Sequence, residues 1–257
     1  GARKEERPPD VGPNNIWWKH YRRFSDYMKR LSYLMTDSVN GAKVAVLGSR
    51  KETVDKALEK LSGDVMGLYP DLTDYNAVEV AFAEIKAKFG RIDILVNNAG
   101  ISAREPIEAY DPDAFKGIMD LNVTAVFNGC KAVVPYMKEI GGGSIINTSS
   151  MVAKAGQVSG VGYPTSKFAV NGMTVSLARE LGKYNIRVNA VAPGVTRTDM
   201  VAALPEEMVA RVAAGIPMGR VGEPSEVANC FLFLASDMSS YMTGQAINVT
   251  GGQEMLK

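Results

Sequence analysis

The chain has 257 residues, of which 46% are apolar and 22% are charged, and its formal net charge is +1. This length and composition support a large folded core, and the balanced charge excludes an overall electrostatic attraction to nucleic acid or anionic membranes. The sequence contains one histidine, His20, and two widely separated cysteines, Cys130 and Cys230. These counts argue against a histidine-dependent hydrolase, a metal centre and a disulfide scaffold.

The sequence also bears on location and partners. No apolar run reaches the length of a transmembrane helix, and no charged-then-apolar leader opens the chain. Two cysteines in separate apolar stretches are typical of buried, reduced thiols. We therefore expect a cytoplasmic protein that acts on a small molecule, with no bound metal, no membrane partner and no nucleic-acid partner.

Residues 1–40 differ in character from the rest of the chain. They hold both tryptophans and the single histidine, with eight Lys or Arg and five Asp or Glu. Apolar residues at helical spacing predict an amphipathic helix over 21–35, and residues 15–19, Asn-Ile-Trp-Trp-Lys, are the candidate for a strand. Such a helix could act as an adaptor that binds a membrane or nucleic acid. Acidic residues interrupt its basic edge, however, which favours packing on the rest of the fold.

From residue 41 to residue 257, short apolar runs alternate with amphipathic stretches. The predicted strands are 43–47, 65–69, 92–96, 144–148, 186–191 and 246–249. The predicted helices are 51–61, 76–89 (ended by Gly90), 112–140, 163–184 and 224–234 (begun by Pro224). This alternation predicts an α/β fold: a doubly wound parallel sheet with helices on both faces, in a single domain.

Four polar residues have the types and the spacing of a site for proton transfer. Tyr163 and Lys167 are four residues apart on a predicted helix, so their side chains lie on the same helix face. An ammonium near a phenol stabilises the phenolate, which lets the phenol exchange a proton near neutral pH. Ser150 follows a predicted strand at the carboxyl edge of the sheet, where it can hold a substrate oxygen. With Asn122 passing a proton onward through water, this set predicts proton transfer to or from a carbonyl oxygen.

The order of these residues along the chain indicates a family. The elements that match are Asp71-Leu72, Asn97-Asn98-Ala99-Gly100, Asn122, Ser150, Tyr163 with Lys167, and Pro193-Gly194-Val195-Thr196-Arg197-Thr198. In this order they resemble the short-chain dehydrogenase/reductase family over some five-sixths of the protein. The resemblance implies a Rossmann-type fold in which residues 41–257 form most of one domain. The atypical segment 1–40 would supply the first strand and the first helix.

The resemblance also implies roles for individual residues. Tyr163 would be the catalytic acid or base, Lys167 would lower the pKa of Tyr163 and bind the cofactor ribose, Ser150 would orient the carbonyl, and Asn122 would act in the proton relay. The residues implied to bind the cofactor on its adenine side and along its length are Asp71, Leu72, Asn98, Ala99 and Gly100. Val195 and Thr198 are implied to hold its nicotinamide amide, and Pro193 and Gly194 are implied to bind the cofactor as well. A homotetramer built partly on the helices at 112–140 and 163–184 is implied as well.

The end of the strand at 43–47 bears on the choice of cofactor. An acidic side chain there would accept hydrogen bonds from the ribose 2′-hydroxyl of NAD and repel a 2′-phosphate. This sequence instead has Ser49 and Arg50. A guanidinium suits a phosphate, so we predict NADP(H) in preference to NAD(H). The alternative is that Arg50 only begins a solvated helix.

The resemblance leaves the substrate less defined than the reaction. The segments 159–167, 193–200 and 216–218 are similar to those of bacterial bile-acid hydroxysteroid dehydrogenases of the family. The general pattern is shared equally with 3-oxoacyl-carrier-protein reductases. Apolar residues over 200–217, the expected lid, favour a hydrophobic ketone or a steroid slightly, although they also suit plain helix packing. We expect hydride exchange between NADP(H) and a secondary alcohol or ketone, with the carrier-protein reductase as the alternative.

Residues 1–40 depart from the family pattern. The family begins with a strand followed by Thr-Gly-x-x-x-Gly-x-Gly, whose glycines let backbone N–H groups approach a pyrophosphate. Residues 1–40 contain only Gly1 and Gly12, and neither fits. Three hypotheses follow: a scaffold that no longer binds a dinucleotide and serves as a binding or assembly module, a working enzyme with a different phosphate loop, or a recorded sequence that differs from the true one through a frameshift or misassignment. We favour the last, because the downstream catalytic set is complete.

Overall fold

A seven-stranded parallel sheet forms the centre of the molecule. The computed structural model describes residues 15–20 as a backbone strand, and residues 42–197 and 206–255 in full. The strands are β1 Asn15–His20, β2 Lys43–Gly48, β3 Val65–Leu68, β4 Ile94–Asn97, β5 Gly143–Thr148, β6 Ile186–Pro193 and β7 Ala246–Val249. Their order across the sheet is β3-β2-β1-β4-β5-β6-β7, and every neighbouring pair is parallel. The predicted doubly wound parallel sheet is confirmed.

Helices cover both faces of this sheet. They are α1 Lys51–Leu58, α2 Tyr75–Phe89, α3 Pro112–Met119, α4 Ala125–Glu139, α5 Val152–Ala155, α6 Gly162–Leu181, α7 Glu206–Ala214 and α8 Pro224–Ala235. Two apolar clusters separate the layers. One joins α2, α4 and α6 to the sheet, and the other joins α1 and α8 to the opposite face. None of the helices in the described ranges is long and apolar enough to cross a bilayer.

Alternation along the strands distributes residues between the two clusters. In β2, Ala45 and Leu47 belong to the cluster under α2, α4 and α6, whereas Val44 and Val46 belong to the cluster under α1 and α8. Successive side chains of a strand point to opposite faces of a sheet, so a strand that is covered on both sides must be apolar throughout. The run Val-Ala-Val-Leu meets that demand.

Local signals set the limits of the helices. Asp74 caps α2, because its side chain accepts a hydrogen bond from the Asn76 backbone N–H at 2.9 Å. Gly90 ends this helix in the left-handed conformation, with φ of 84°, as the sequence predicts. Pro224 occupies the first turn of α8, which is also the predicted arrangement.

The stretch predicted to be helical over 112–140 is helical from Pro112 to Glu139, but it is not a regular α-helix throughout. The structure has α3 and α4, joined by a π-helical turn over Asp120–Thr124 in which the Ala125 backbone N–H donates to the Asp120 carbonyl. An extra residue in a helical turn leaves the apolar spacing on either side nearly intact, so periodicity does not reveal it. The turn carries Asn122 on its inner side, fully buried.

Strand β1 lies at the centre of the sheet, between β2 and β4. It comes from the atypical N-terminal segment and covers the residues proposed as a strand from the sequence, with one more at its end. The amphipathic helix predicted over 21–35 and the apolar lid expected to begin at Met200 lie outside the described residues.

Candidate active site

The carboxyl ends of β4, β5 and β6 meet one end of α6, and a cavity of about 290 Å³ opens there. Open parallel sheets bind ligands at this edge, where loops from neighbouring strands converge. The cavity is lined by Ser102, Arg104, Thr148, Ser149, Ser150, Met151, Val152, Gln157, Tyr163, Pro193, Gly194, Val195 and Thr196. Two of the predicted catalytic residues, Ser150 and Tyr163, therefore share one wall.

Tyr163 lies in the first turn of α6 and is half-buried. Burial raises the pKa of its phenol, because the phenolate loses hydration more than the neutral form does. A hydrogen bond with the Ser150 side chain and the charge of Arg104 act in the opposite direction and lower the pKa. The phenol is therefore protonated at neutral pH and can donate its proton.

Lys167 is one turn further along α6 and is only 3% exposed. Its ammonium donates a hydrogen bond to the Thr148 carbonyl at 2.7 Å and lies 5.6 Å from the centre of the Tyr163 ring. Burial lowers the pKa of Lys167 to about 8. The side chain therefore carries its charge at neutral pH.

Asn122 connects the loop after β4 with α6. Its side-chain carbonyl accepts from the Ile101 N–H at 2.8 Å, and its amide donates to the Ile101 carbonyl and to the Ser166 hydroxyl, both at 2.9 Å. Ser166 in turn donates to the Tyr163 carbonyl at 2.7 Å. Both N–H groups of the amide are thus committed to protein partners, and the chain of contacts ends at the backbone of Tyr163.

The loop that follows β4 brings Asn98, Ala99 and Gly100 to the same edge. The Thr148 hydroxyl donates to the Asn98 side-chain carbonyl at 3.1 Å, and Ala99 is buried. A Cβ atom at Gly100 would stand 3.1 Å from Asn122 Oδ1 and 3.6 Å from Lys167 Nζ. The absence of a side chain at Gly100 lets the backbone of this loop lie close to Asn122 and to the buried ammonium.

The loop that follows β6 forms another part of the cavity wall. Pro193, Gly194 and Val195 line it, and Gly194 donates its N–H to the Val249 carbonyl at 2.9 Å. A Cβ at Gly194 would come within 2.8 Å of the Thr250 Cα, so this position requires glycine. Thr198 lies outside the described residues.

The remaining predicted cofactor residues lie toward the other end of the sheet. Ser49 and Arg50 follow β2 and are exposed. In the loop after β3, Asp71 accepts hydrogen bonds from the N–H and hydroxyl of Thr73, and Leu72 is buried. In the sheet order, β2 and β3 stand on the far side of β1 from β4, so the predicted residues extend along the carboxyl edge as a row.

Sequence reasoning missed several residues that hold this edge together. Asn128 is buried in α4 and donates to the Leu72 and Thr73 carbonyls, each at 3.1 Å. The Thr148 carbonyl and the Ser166 hydroxyl position Lys167 and Tyr163. A polar residue among apolar helix positions, as at Asn128, was the available signal. The backbone acceptors left no signal in the sequence, because every residue type has a carbonyl.

Known proteins resemble this chain over most of its length. The sequence profile of the family described as enoyl-(acyl carrier protein) reductase matches residues 38–254. A 3alpha-hydroxysteroid dehydrogenase of Mediterraneibacter gnavus is 59% identical over 217 residues, which cover 82% of this chain and 87% of the relative. The 3-oxoacyl-[acyl-carrier-protein] reductase FabG of Thermotoga maritima is 42% identical over 215 residues, with the same two coverages.

Solved structures agree as well. A short-chain type dehydrogenase/reductase from Mycobacterium marinum has a TM-score of 0.86 and 30% identity, with 96% of this chain and 97% of that chain covered. The family match and the identity to both relatives extend over the strands and helices that carry Asn122, Ser150, Tyr163 and Lys167. The chain is therefore an oxidoreductase that belongs to the short-chain dehydrogenase/reductase family.

Proposed function

We propose that the protein exchanges a hydride between NADP(H) and the carbinol or carbonyl carbon of a hydrophobic secondary alcohol or ketone. The observation that carries the proposal is the convergence of the Tyr163 phenol, the Ser150 hydroxyl and the Lys167 ammonium at one edge of the sheet. The dinucleotide supplies or accepts the hydride, and the protein supplies the proton and the orientation.

The residues of the cavity fit the nicotinamide half of a dinucleotide. Lys167 is a buried cation behind Tyr163, and a Cβ atom at Gly100 would stand 3.6 Å from its ammonium. The Ser149 hydroxyl is buried on the same wall with no hydrogen-bond partner among the described residues. Ribose hydroxyls would satisfy the ammonium, and an amide could satisfy a hydroxyl. We propose that Lys167 and the backbone of Asn98–Gly100 hold the ribose, and that Pro193, Gly194, Val195 and Thr198 hold the amide.

The proton path follows from these positions. In reduction, the Ser150 hydroxyl donates a hydrogen bond to the substrate carbonyl oxygen, and the Tyr163 phenol transfers its proton to that oxygen. In oxidation, the Tyr163 phenolate accepts the alcohol proton, and the Lys167 ammonium stabilises the phenolate. Asn122 fixes the π-helical turn and the backbone of Tyr163, so we propose that its part in the proton relay is to hold that path in place.

We propose a preference for NADP(H) because Arg50 follows β2 at the carboxyl edge. Asp71 and Leu72, in the loop that Asn128 clamps, would contact the adenine. A reducing, cytoplasmic setting is proposed as well, and two cysteines that form no disulfide with each other support it.

The relatives support two substrate classes. The relative of 59% identity is named as a steroid dehydrogenase, and the relative of 42% identity is named as a carrier-protein reductase. We propose a steroid or similar hydrophobic ketone first, because Met151, Val152 and Val195 give the cavity apolar walls. Comparing rates for a free steroid ketone and for a 3-oxoacyl chain on its carrier protein decides between them.

A titration with NADPH and NADH, followed by nucleotide fluorescence, tests the cofactor proposal. We expect micromolar binding that is tighter for NADPH. Such binding requires a phosphate cradle within the N-terminal segment, either from residues 1–40 as written or from a corrected sequence that intact-protein mass spectrometry would identify. No binding at millimolar nucleotide would contradict the proposal and favour the non-catalytic module.

Tyr163→Phe tests the chemical step. Because this substitution removes only the hydroxyl, we expect kcat to fall by roughly 10³-fold or more, while the dissociation constant for NADPH changes little. Steady-state kinetics with a ketone substrate and the same fluorescence titration measure the two quantities. Tyr184→Phe, at a tyrosine outside the cavity, is the control and should retain activity. An unchanged rate in Tyr163→Phe would sink the mechanism.

A further inference from the structure

A cation that does not belong to the predicted set lines the cavity. Arg104 belongs to the loop after β4 and shares the cavity wall with Ser150 and Tyr163. Its side chain is exposed, and no carboxylate of residues 42–197 or 206–255 lies within 4.0 Å of its guanidinium. This arginine therefore has no ion pair within the part of the chain that the structure describes, although it stands at the reacting phenol.

The backbone that carries Arg104 is tightly held. The Gly160 N–H donates to the Glu105 carbonyl at 3.0 Å, and the Gln157 side-chain amide donates to the Ala103 carbonyl at 3.4 Å. Gly160 has φ of 84°, and a Cβ atom there would lie 2.7 Å from the Arg104 Cα. The loop after β4 and the segment before α6 are thus packed backbone to backbone, so Arg104 starts from a defined position on the cavity wall.

The two cations near Tyr163 differ in how they respond to pH. Lys167 approaches from α6, and burial lowers its pKa to about 8, so its charge declines above that pH. A guanidinium stays charged throughout the working range of an enzyme. The charge of Arg104 lowers the pKa of Tyr163, as does the hydrogen bond with Ser150. The charge of the neighbouring carboxylate, Glu105, raises the pKa of Tyr110.

We propose that Arg104 is a positioning residue that acts through Tyr163: it places a permanent positive charge on the substrate side of the phenol and so keeps Tyr163 competent for proton transfer over a wider range of pH. The inference rests on the proposed function, because it assigns a purpose to the charge only if Tyr163 transfers the proton. Substrate entry would exclude water from the cavity and strengthen the interaction.

The experiment compares Arg104→Gln, which removes the charge, with Arg104→Lys, which keeps it. Arg179→Gln removes the same charge from an exposed site on α6 outside the cavity and is the matched control. The first readout is the pH profile of kcat/KM for alcohol oxidation. For Arg104→Gln we expect a loss of about two- to fivefold on the acid side, shrinking toward wild type as pH rises and in added salt.

The second readout needs neither cofactor nor activity. In protein labelled with ¹³C at the tyrosine ζ carbon, Tyr163→Phe identifies the Tyr163 resonance. This resonance should begin to titrate at a higher pH in Arg104→Gln than in wild type, Arg104→Lys or Arg179→Gln. This measurement tests the role of Arg104 separately from the proposed function. Even in a protein without activity, the Tyr163 resonance would show whether Arg104 and Tyr163 interact.

Three results would overturn the inference. One is an unshifted Tyr163 resonance in Arg104→Gln. Another is a rate loss that is equal at every pH, with a raised KM for carboxylated substrates only, which would make Arg104 an anchor for a substrate anion. The third is a rate loss in Arg104→Gln matched by a lower melting temperature and not rescued by Arg104→Lys, which would make its role structural.

Discussion

At the scale of single residues, burial shifts the pKa values of Tyr163 and Lys167 in opposite directions. The pKa of the phenol is raised and the pKa of the ammonium is lowered, in both cases chiefly because burial disfavours the charged form. The pair could be found from the sequence, because residues four apart share a helix face. The directions of the two shifts could not, because they depend on how much water the folded protein removes.

Arg50 carries the prediction on cofactor choice. If its guanidinium meets the 2′-phosphate, Arg50→Ala should weaken NADPH binding by about tenfold and leave NADH binding nearly unchanged, because only NADPH has that phosphate. Lys56→Ala removes an exposed cation nearly two turns further along α1 and should leave the NADPH/NADH ratio as in wild type. Equal weakening of both nucleotides in Arg50→Ala would show that Arg50 does not read the phosphate.

Asn122 and Asn128 form a matched pair for mutation. Both are buried, and each clamps the loop that follows a strand, so Asn122→Ala and Asn128→Ala should each destabilise the protein by about 2–3 kcal/mol. Their effects on catalysis should differ. Asn122→Ala should lower kcat, because its contacts lead to Tyr163, whereas Asn128→Ala should mainly raise KM for NADPH, because it holds the loop of Asp71.

Urea unfolding gives the stabilities of these two variants, and steady-state kinetics separates kcat from KM. If the two variants show the same change in kcat and the same change in KM for NADPH, the two asparagines do not act on different parts of the site.

At the scale of elements, strands were easier to predict than helix interruptions. All six predicted strands overlap the observed ones within about two residues at each end, since buried parallel strands are short apolar runs with turn residues around them. Among them, β6 continues two residues beyond its predicted end, to Pro193. The π-helical turn before α4 was not predicted. Asn122 in this turn is hydrogen-bonded to the loop after β4, and a contact with so distant a segment has no local sequence pattern.

The N-terminus of α8 supplies a pH-dependent prediction. Glu226 accepts hydrogen bonds from the Arg220 guanidinium at 2.7 and 2.8 Å and from the Glu223 N–H at 2.7 Å. These contacts lower the pKa of Glu226 to about 2. A lowered pKa adds stability that is present above the ordinary value of 4.5 and is lost as pH falls toward 2.

We therefore expect Glu226→Gln to cost about 0.5–1 kcal/mol at pH 7, a modest figure because the carboxylate is 41% exposed and screened by water. The deficit should shrink between pH 4.5 and pH 3, as measured by urea unfolding at each pH. Glu84→Gln, at an exposed position of α2, should change stability little at any of these pH values. A deficit that is constant with pH would mean that charge plays no part in the cap.

At the scale of the whole molecule, the three-layer arrangement leaves apolar side chains on the outer faces of α4 and α6. Phe127 is 48% exposed and Phe168 is 51% exposed, although both helices bury their inner faces in the core. Large exposed aromatic residues on neighbouring helices mark surfaces for association. We propose that these two helices form part of the interface of a homotetramer.

The double variant Phe127→Glu/Phe168→Glu tests this interface. Sedimentation should give four times the 27.7 kDa of one chain for the wild type and a smaller assembly for the variant, because carboxylates buried without partners disfavour association. Val80→Glu alters a residue of α2 that is 59% exposed and should leave the tetramer intact. A wild type that sediments as a single chain would contradict the proposal.

The sequence by itself determined the fold class, the family and the main chemical groups, because apolar periodicity and a fixed order of Asn122, Ser150, Tyr163 and Lys167 are local properties of the chain. Only the tertiary structure decided which groups meet. It tied Asn122 to Ile101 and Ser166, aimed Lys167 at the Thr148 carbonyl, and placed Arg104 on the cavity wall with Tyr163. These contacts join residues that are distant along the chain. Many of them use backbone atoms, which every residue has and which therefore leave no trace in the sequence.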